Sequence, residues 1–464
     1  MTDDPDTLSA RELAHRIREG RLSAAAVTRG VLDRVARVNP GINAIVQECG
    51  DAAMDEAEAV DRKAAAGERL GILAGVPVTI KVIADQAGYA TTNGTTLARD
   101  LVATADNPFL RNMRAEGAIV VGRTNTPAFS YRWFTSNLIH GTTVNPRNHG
   151  LTPGGSSGGA GAAVAAGLGH IAHGTDIAGS IRYPAYACGI QGLRPTPGRV
   201  PYFNATSGDR AIGPQMMAVS GPLARRVDDL RLGLEAMAGE DPDDPWSVPV
   251  PLRGASYRRR VALVTHPGGI DTDPRIVDDL HRAAGILRRA GWEVETPTHV
   301  PEIREAVELQ TDLWLSDAYA DKLAAAEAEG DPGALACLGK FRERASTIDT
   351  ARITRLFIRR SALARAWRAF LADYPVVLTP VSAELPFKQD EDLEGPEVLD
   401  RLWEAQLPQV AIPLLGLPGA SVCSGIEGNV PSGVHIVTAP WREDICLDAA
   451  EVLEAGFGVP EVAG

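Results

Sequence analysis

Gly154-Gly-Ser-Ser-Gly-Gly-Ala-Gly161 opens a stretch that runs on as AAVAAGLGHIAHGTDIAGSIRYPAYACGIQG to Gly192, and glycine, alanine and serine dominate it. Side chains this small let backbones approach closely, so the segment reads as packed chain. A flexible linker would share the low complexity, but Asp176, Arg182, Pro184 and Cys188 are interleaved where a linker has no use for them. Glycine-rich turns also expose backbone N–H groups. The run Asp176-Ile-Ala-Gly-Ser180 can present the amides of Ile177, Ala178, Gly179 and Ser180 toward one point, beside the Ser180 hydroxyl. A nucleophile next to oxyanion donors is what acyl transfer requires.

Other chemistries compete for the same stretch. A phosphate-binding loop needs Lys after its last glycine, and none follows. Gly154-Gly-Ser-Ser-Gly158 satisfies G-x-S-x-G, which would make Ser156 the nucleophile of a Ser-His-Asp esterase. His170-Ile-Ala-His173 lacks the Glu of a zinc helix and suits a strand, so it reads as two packed or solvated histidines.

Outward from this stretch, periodicity sets the fold class. Val76, Val78, Ile80 and Val82 alternate with Pro77, Thr79 and Lys81, a strand pattern in which Lys81 points away from the apolar row. Ala118-Ile-Val-Val-Gly122 is a short buried strand, and the aromatic segment Phe129-Ser-Tyr-Arg-Trp-Phe134 follows it. Toward the N-terminus, Ser9-Ala-Arg-Glu12 is a capping box for a helix ending at Gly20. Val27, Val31, Val35 and Val38 mark a second helix, which Asn39-Pro40 is expected to stop. Downstream, Arg260–Thr265, Val376–Pro380 and Val434–Val437 read as strands, and Arg275–Ala290 as a helix closed by Gly291. The charged, alanine-rich region of about 302–372 reads as helices covering a surface. Strands alternating with helices predict an α/β fold.

The runs Gly75-Val-Pro-Val-Thr-Ile-Lys81, Gly122-Arg-Thr-Asn-Thr-Pro127, Gly154-Gly-Ser-Ser-Gly-Gly159 and Gly174-Thr-Asp-Ile-Ala-Gly-Ser-Ile-Arg182, in that order, resemble the amidase signature family. Pro184-Ala-Tyr-Ala-Cys-Gly189, Gly192-Leu-Arg-Pro-Thr196, Ser220-Gly-Pro-Leu-Ala-Arg225 and Pro431-Ser-Gly-Val-His-Ile-Val437 extend the resemblance over nearly the whole chain. It implies a large mixed, twisted sheet covered by helices on both faces. One amidase domain over 1–464 is expected, with an N-terminal helical layer at 1–65 and a signature core at 66–238. A C-terminal half at 246–464 would carry the substrate-covering helices, and Gly239-Glu-Asp-Pro-Asp-Asp-Pro245 is the only obvious linker.

The same resemblance assigns roles: Ser180 the nucleophile, Ser156 the bridging serine after a cis peptide bond, Lys81 the base. Burial must lower the Lys81 pKa for a neutral amine to accept a proton, and the triad then needs no metal or organic cofactor. Asp176 and Arg182 match charged positions beside the nucleophile and are expected to pair with each other or with loop backbone. Ser130, Tyr131, Trp133 and Phe134, together with Phe129, follow a segment that in relatives leads into the acyl pocket, and aromatic walls favour flat apolar groups. Val82 stands where many members have Asp. Ala178 replaces the first Gly of Gly-Gly-Ser, a change that is tolerated if its φ stays negative. His435 stands where many relatives carry Gln and reads as a hydrogen-bonded core histidine.

Composition narrows the partners. The 464 residues carry 46 Lys+Arg against 59 Asp+Glu, and the net charge of −13 repels nucleic acid and anionic membrane alike. An acidic MTDDPD start without a long apolar run suits a soluble cytoplasmic protein, as do 5 scattered cysteines with no CxxC pair. The expected partner is a small amide, with carbamates and esters open to the same attack, and a homodimer is compatible with the chain. Two alternatives stand beside the amidase: a glutaminase-type subunit of a transamidation complex and the Ser156 esterase. A binding protein that merely kept the fold would have no use for Lys81, Ser156 and Ser180 together.

Overall fold

A computed structural model describes residues 8–316 and 318–463, and the MTDDPD start lies outside them. Eleven strands form one mixed sheet: β1 (Ile45–Glu48), β2 (Pro77–Lys81), β3 (Ile119–Thr124), β4 (Ile171–Asp176), β5 (Gln191–Arg194), β6 (Val219–Ala224), β7 (Arg260–Leu263), β8 (Glu293–Glu295), β9 (Val376–Pro380), β10 (Gly419–Glu427) and β11 (Val430–Val437). Their spatial order is β1-β3-β2-β4-β6-β5-β10-β11-β9-β7-β8. β2 runs parallel to β3 and β4, β7 runs parallel to β8 and β9, and the remaining pairs are antiparallel.

Successive strand residues face opposite sides of a sheet. Val261 and Leu263 of β7, Val376 and Leu378 of β9, and Val434 and Ile436 of β11 lie in one apolar core with Leu13, Val31, Leu230, Leu280 and Leu453. Their neighbours Ala262, Val377 and Val437 lie in a second core with Trp133, Leu313, Trp367 and Leu415. Helices therefore bury both faces of the sheet, which accounts for the near-continuous apolar strand sequences.

The first helix, Ala10–Arg18, forms half of the expected capping box: Ser9 Oγ accepts from Glu12 N at 3.1 Å, while among the described residues the Glu12 carboxylate accepts from Arg16 Nε at 2.7 Å instead of from Ser9 N. The second, Ala24–Ile42, runs past Asn39-Pro40, contrary to expectation. Pro40 falls in the final turn, and Asn39 organises the exit. Its carbonyl accepts from Asn43 N at 2.7 Å, and its Oδ1 takes the amides of Ala44 and Ile45, each at 2.9 Å. The Gly239–Pro245 segment is anchored and not free: Asp241 pairs with Arg111 at 2.8 Å, and Asp244 accepts from Tyr202 N at 2.8 Å.

The charged region forms the helices Arg304–Leu315, Tyr319–Glu329, Pro332–Lys340, Arg342–Ser346 and Thr350–Asp373. Among the described residues, no helix is long and apolar enough to cross a membrane. Because β2 and β4 are adjacent and parallel, their carboxyl ends open at the same edge, the usual place for a site in such sheets.

Candidate active site

Lys81 is the last residue of β2, and its Nζ lies 2.7 Å from Ser156 Oγ and 3.0 Å from Thr175 Oγ1 at the end of β4. The lysine is fully buried. Burial strips water from the ammonium and pushes its pKa well below the ordinary 10.5, against the opposing pull of the Asp176 carboxylate.

Ser156 follows a cis peptide bond from Gly155 and precedes the helix Gly158–Ala165. Its neighbour Ser157 ties the loop to the strand: Ser157 Oγ accepts from Thr175 N at 3.2 Å and donates to Thr175 O at 3.3 Å. Ser157 N also donates to Ser180 O at 3.2 Å, which brings the two serine-bearing loops together. Among the described residues, no hydrogen bond joins the Ser180 hydroxyl to Ser156. Resting sites commonly hold such contacts open until substrate arrives.

The turn from Asp176 to Ile181 is held by its carbonyls. Asp176 O accepts from Arg194 Nη1 at 2.5 Å, Ile177 O from Gln310 Nε2 at 3.1 Å and Ala178 O from Trp133 Nε1 at 2.9 Å. Gly179 O accepts from Tyr183 N at 2.7 Å. The amides divide differently from the sequence expectation. Gly179 N donates to Asp176 Oδ1 at 2.9 Å and Ile181 N to Asp176 Oδ2 at 3.2 Å. Gly179 is thus engaged with Asp176, and the amides of Ile177, Ala178 and Ser180 are the ones without a protein acceptor among the described residues. Gly179 supplies the bend at φ 100, where an added Cβ would sit 2.5 Å from Gln409 Oε1. Ala178 keeps a negative φ, so its methyl group is accommodated.

Asp176 and Arg182 pair as expected, with Nε–Oδ2 at 2.9 Å and Nη2–Oδ1 at 3.0 Å. Burial alone would raise the Asp176 pKa, but the Arg182 and Arg194 guanidinium groups overcome it and hold the carboxyl below its usual range. The sequence did not single out Arg194 or Thr175. Both stand inside runs that carry the family resemblance, but nothing local says which neighbour they reach.

The histidines are packed. His173 stacks on Phe109 at 4.0 Å, with Nε2 3.0 Å from Ser220 Oγ. His435 Nε2 lies 3.3 Å from Arg182 Nη1, and burial, reinforced by Arg182, pushes its pKa well down and leaves the ring neutral. Among the described residues, Ser156 is hydrogen-bonded to Lys81 and to no histidine, so the geometry gives a Ser-His-Asp arrangement on Ser156 no histidine base.

A narrow cavity opens beside Ser180. Ser130, Tyr131 and Trp133 line it, joined by Ile177, Ala178, Gln310, Trp314, Cys337 and Trp403. Trp314 meets Tyr131 edge-on at 5.6 Å, and Trp403 lies 5.1 Å from Trp133. Phe134 departs from expectation: buried at 1% exposure, it stacks on Phe387 at 6.0 Å in the core, since its side chain alternates away from Trp133. Phe129 packs behind Tyr131 at 5.4 Å. Arg132 reaches the cavity wall, but its guanidinium is committed to Asp392 at 2.6 and 2.7 Å and to Asp390 at 2.9 Å, so it offers no free charge to a ligand.

Residues 26–447 match the family model described as Amidase. The chain is 40% identical over 455 residues to an indoleacetamide hydrolase of Bradyrhizobium diazoefficiens, a match covering 97% of this chain and 87% of that protein. It is 32% identical over 474 residues to an acylamidase of Rhodococcus erythropolis, covering 97% and 95% respectively. Among solved structures, a bacterial aryl acylamidase superposes with a TM-score of 0.85 at 26% identity, covering 98% of this chain and 96% of that one.

Proposed function

Since the chain belongs to the amidase signature family, hydrolases of carbon–nitrogen bonds other than peptide bonds, we propose that it hydrolyses small neutral aryl and arylacetic amides through an acyl-enzyme on Ser180. One geometric fact carries this: the Ser180 hydroxyl borders the same cavity as the rings of Tyr131, Trp133, Trp314 and Trp403. Aromatic walls take a flat apolar group, and with Arg132 already paired a substrate carboxylate finds no counter-charge.

The proposed chemistry runs through Lys81, Ser156 and Ser180, and the Lys81–Ser156 contact supports it. Neutral Lys81 takes the proton of Ser156 as Ser156 takes that of Ser180, and Ser180 Oγ bonds to the amide carbon. The carbonyl oxygen becomes an oxyanion, to which the amides of Ile177, Ala178 and Ser180 donate. The relay returns the proton to nitrogen, the C–N bond breaks and ammonia or an amine departs. Water, deprotonated through the same relay, attacks the ester and releases the acid. The sum is amide plus water giving acid plus amine. Aryl carbamates and esters present the same acyl carbon and are expected to react at the same serine.

The indoleacetamide hydrolase relative makes indole-3-acetamide the first substrate to try. Its kcat/KM is expected to exceed that of acetamide or glutamine by about 10²-fold or more. Mass spectrometry after treatment with a serine-directed phosphonate should find the adduct on Ser180. An adduct on Ser156 would overturn the nucleophile assignment, and a preference for glutamine would favour the transamidation subunit.

A further inference from the structure

A trans peptide unit is planar, and its N–H points opposite to its C=O. Whatever holds a carbonyl in the Asp176–Ile181 turn therefore aims the amide of the next residue. Three such units end in the free amides. The Asp176–Ile177 unit is held by Arg194, the Ile177–Ala178 unit by Gln310 and the Gly179–Ser180 unit by the backbone of Tyr183. Arg194 also neutralises Asp176, and the Tyr183 contact has no side chain to alter. Gln310 is the member whose contact is separable from the rest.

We propose that Gln310 is a positioning residue for the oxyanion hole, its Nε2 on Ile177 O setting the direction of the Ala178 N–H. The inference rests on Ser180 being the nucleophile. Gln310 is 2% exposed and stands on the helix Arg304–Leu315, which also carries Trp314 into the acyl cavity. The element that touches the aryl group thus also braces one oxyanion donor, and this brace comes from a part of the chain far from the glycine-rich turn. A glutamine suits the position because its amide N–H holds the carbonyl without burying a charge there.

The test compares the wild type with Gln310→Met, which keeps the shape and loses the donor, and with Gln310→Glu, which puts an acceptor oxygen against Ile177 O. A misaimed donor should lower kcat by about 10–100-fold, part of the loss seen when a donor is removed outright. The factor should be the same for indole-3-acetamide and acetamide, with KM within about twofold. A trifluoromethyl ketone, to whose carbonyl Ser180 adds to leave an oxyanion, should lose affinity by the same factor, while the carboxylic acid product binds as before. Thermal midpoints matching the wild type keep folding out of the comparison, and Gln310→Glu carries the same expectation if Gln310→Met is less stable. An unchanged kcat, or a KM that rises for the aryl substrate alone, would make Gln310 a cavity wall and overturn the proposal. Phosphonate labelling of wild-type Ser180 keeps the two readings apart: no adduct there sinks the nucleophile, whereas an adduct with unchanged Gln310→Met kinetics sinks only the positioning role.

Discussion

In the proposed relay Lys81 must be neutral to accept a proton, and its burial beside Ser156 and Thr175 favours that state. Activity should therefore rise with pH through the lowered Lys81 pKa and then level off. Lys81→Met should cost about 10²–10⁴-fold in kcat or more. Activity falling with pH over this range would put the essential proton on another group. The same shift has a stability signature. Between the lowered folded pKa and the ordinary 10.5, the unfolded chain binds a proton that the folded chain has shed. Stability therefore rises with pH across that window, and urea midpoints measured at several pH values should show this slope in the wild type and lose it in Lys81→Met. At this scale the family resemblance singled out Lys81, Ser156, Ser180, Asp176 and Arg182, and the structure buries all five, with Lys81 on Ser156 and Arg182 on Asp176. Thr175 and Arg194 act by reaching across the fold, and their residue types carry no sign of it.

The helix Gly158–Ala165 is buried along its whole length, which its small side chains allow. A Cβ on Gly159 would lie 2.4 Å from Asn125 N and 2.7 Å from Asn125 O, backbone atoms that cannot swing aside. Gly159→Ala should therefore unseat the helix and the Ser156 loop leading into it, costing about 1–3 kcal/mol or more together with much of the activity. Gly285, in the helix Pro274–Arg289, is the control, since a Cβ there meets nothing closer than the Arg289 side chain at 3.5 Å. Gly285→Ala should stabilise by about 0.5–1 kcal/mol, the usual preference of a helix for alanine. Denaturant midpoints moving in the same direction for both would show that close approach is not what these glycines serve. A period-2 row made β2 legible, and short apolar runs did the same for β3, β9 and β11. β6 was hidden by Gly221 and Pro222, residues that read as strand breakers. Yet Gly221 is required there, since a Cβ would sit 2.3 Å from Leu193 O on β5. Gln310, Trp314, Cys337 and Trp403 stayed hidden for a different reason: no periodicity separates a helix side chain facing a cavity from one facing a core.

Across the whole molecule, the cavity is assembled from both halves of the chain, and Glu329 marks where they are fastened. It is the last residue of the helix Tyr319–Glu329, where a negative charge opposes the helix dipole at a cost of about 0.3–1 kcal/mol. Three contacts with the N-terminal half offset that cost: its carboxylate accepts from Thr96 N at 2.7 Å, Thr96 Oγ1 at 2.9 Å and Leu97 N at 3.1 Å. Next along the chain, the helix Pro332–Lys340 packs Gly333 against Arg132 and carries Cys337, whose Sγ donates to Tyr131 O at 3.2 Å. Burial holds that thiol up at about 12, so it stays protonated and serves as wall. Removing the Glu329 carboxylate should loosen this cover while leaving the sheet and Lys81 untouched. Glu329→Ala should raise KM for an arylacetamide by about tenfold, the worth of roughly 1.4 kcal/mol, and change the KM of acetamide little. Hydrogen exchange should quicken in 319–340 and stay at the wild-type rate in β2. Glu329→Gln, which keeps one acceptor oxygen, should fall between the two. Exchange quickening everywhere would mean that Glu329 supports global stability, and unchanged exchange in the cover would mean that the fastening lies elsewhere.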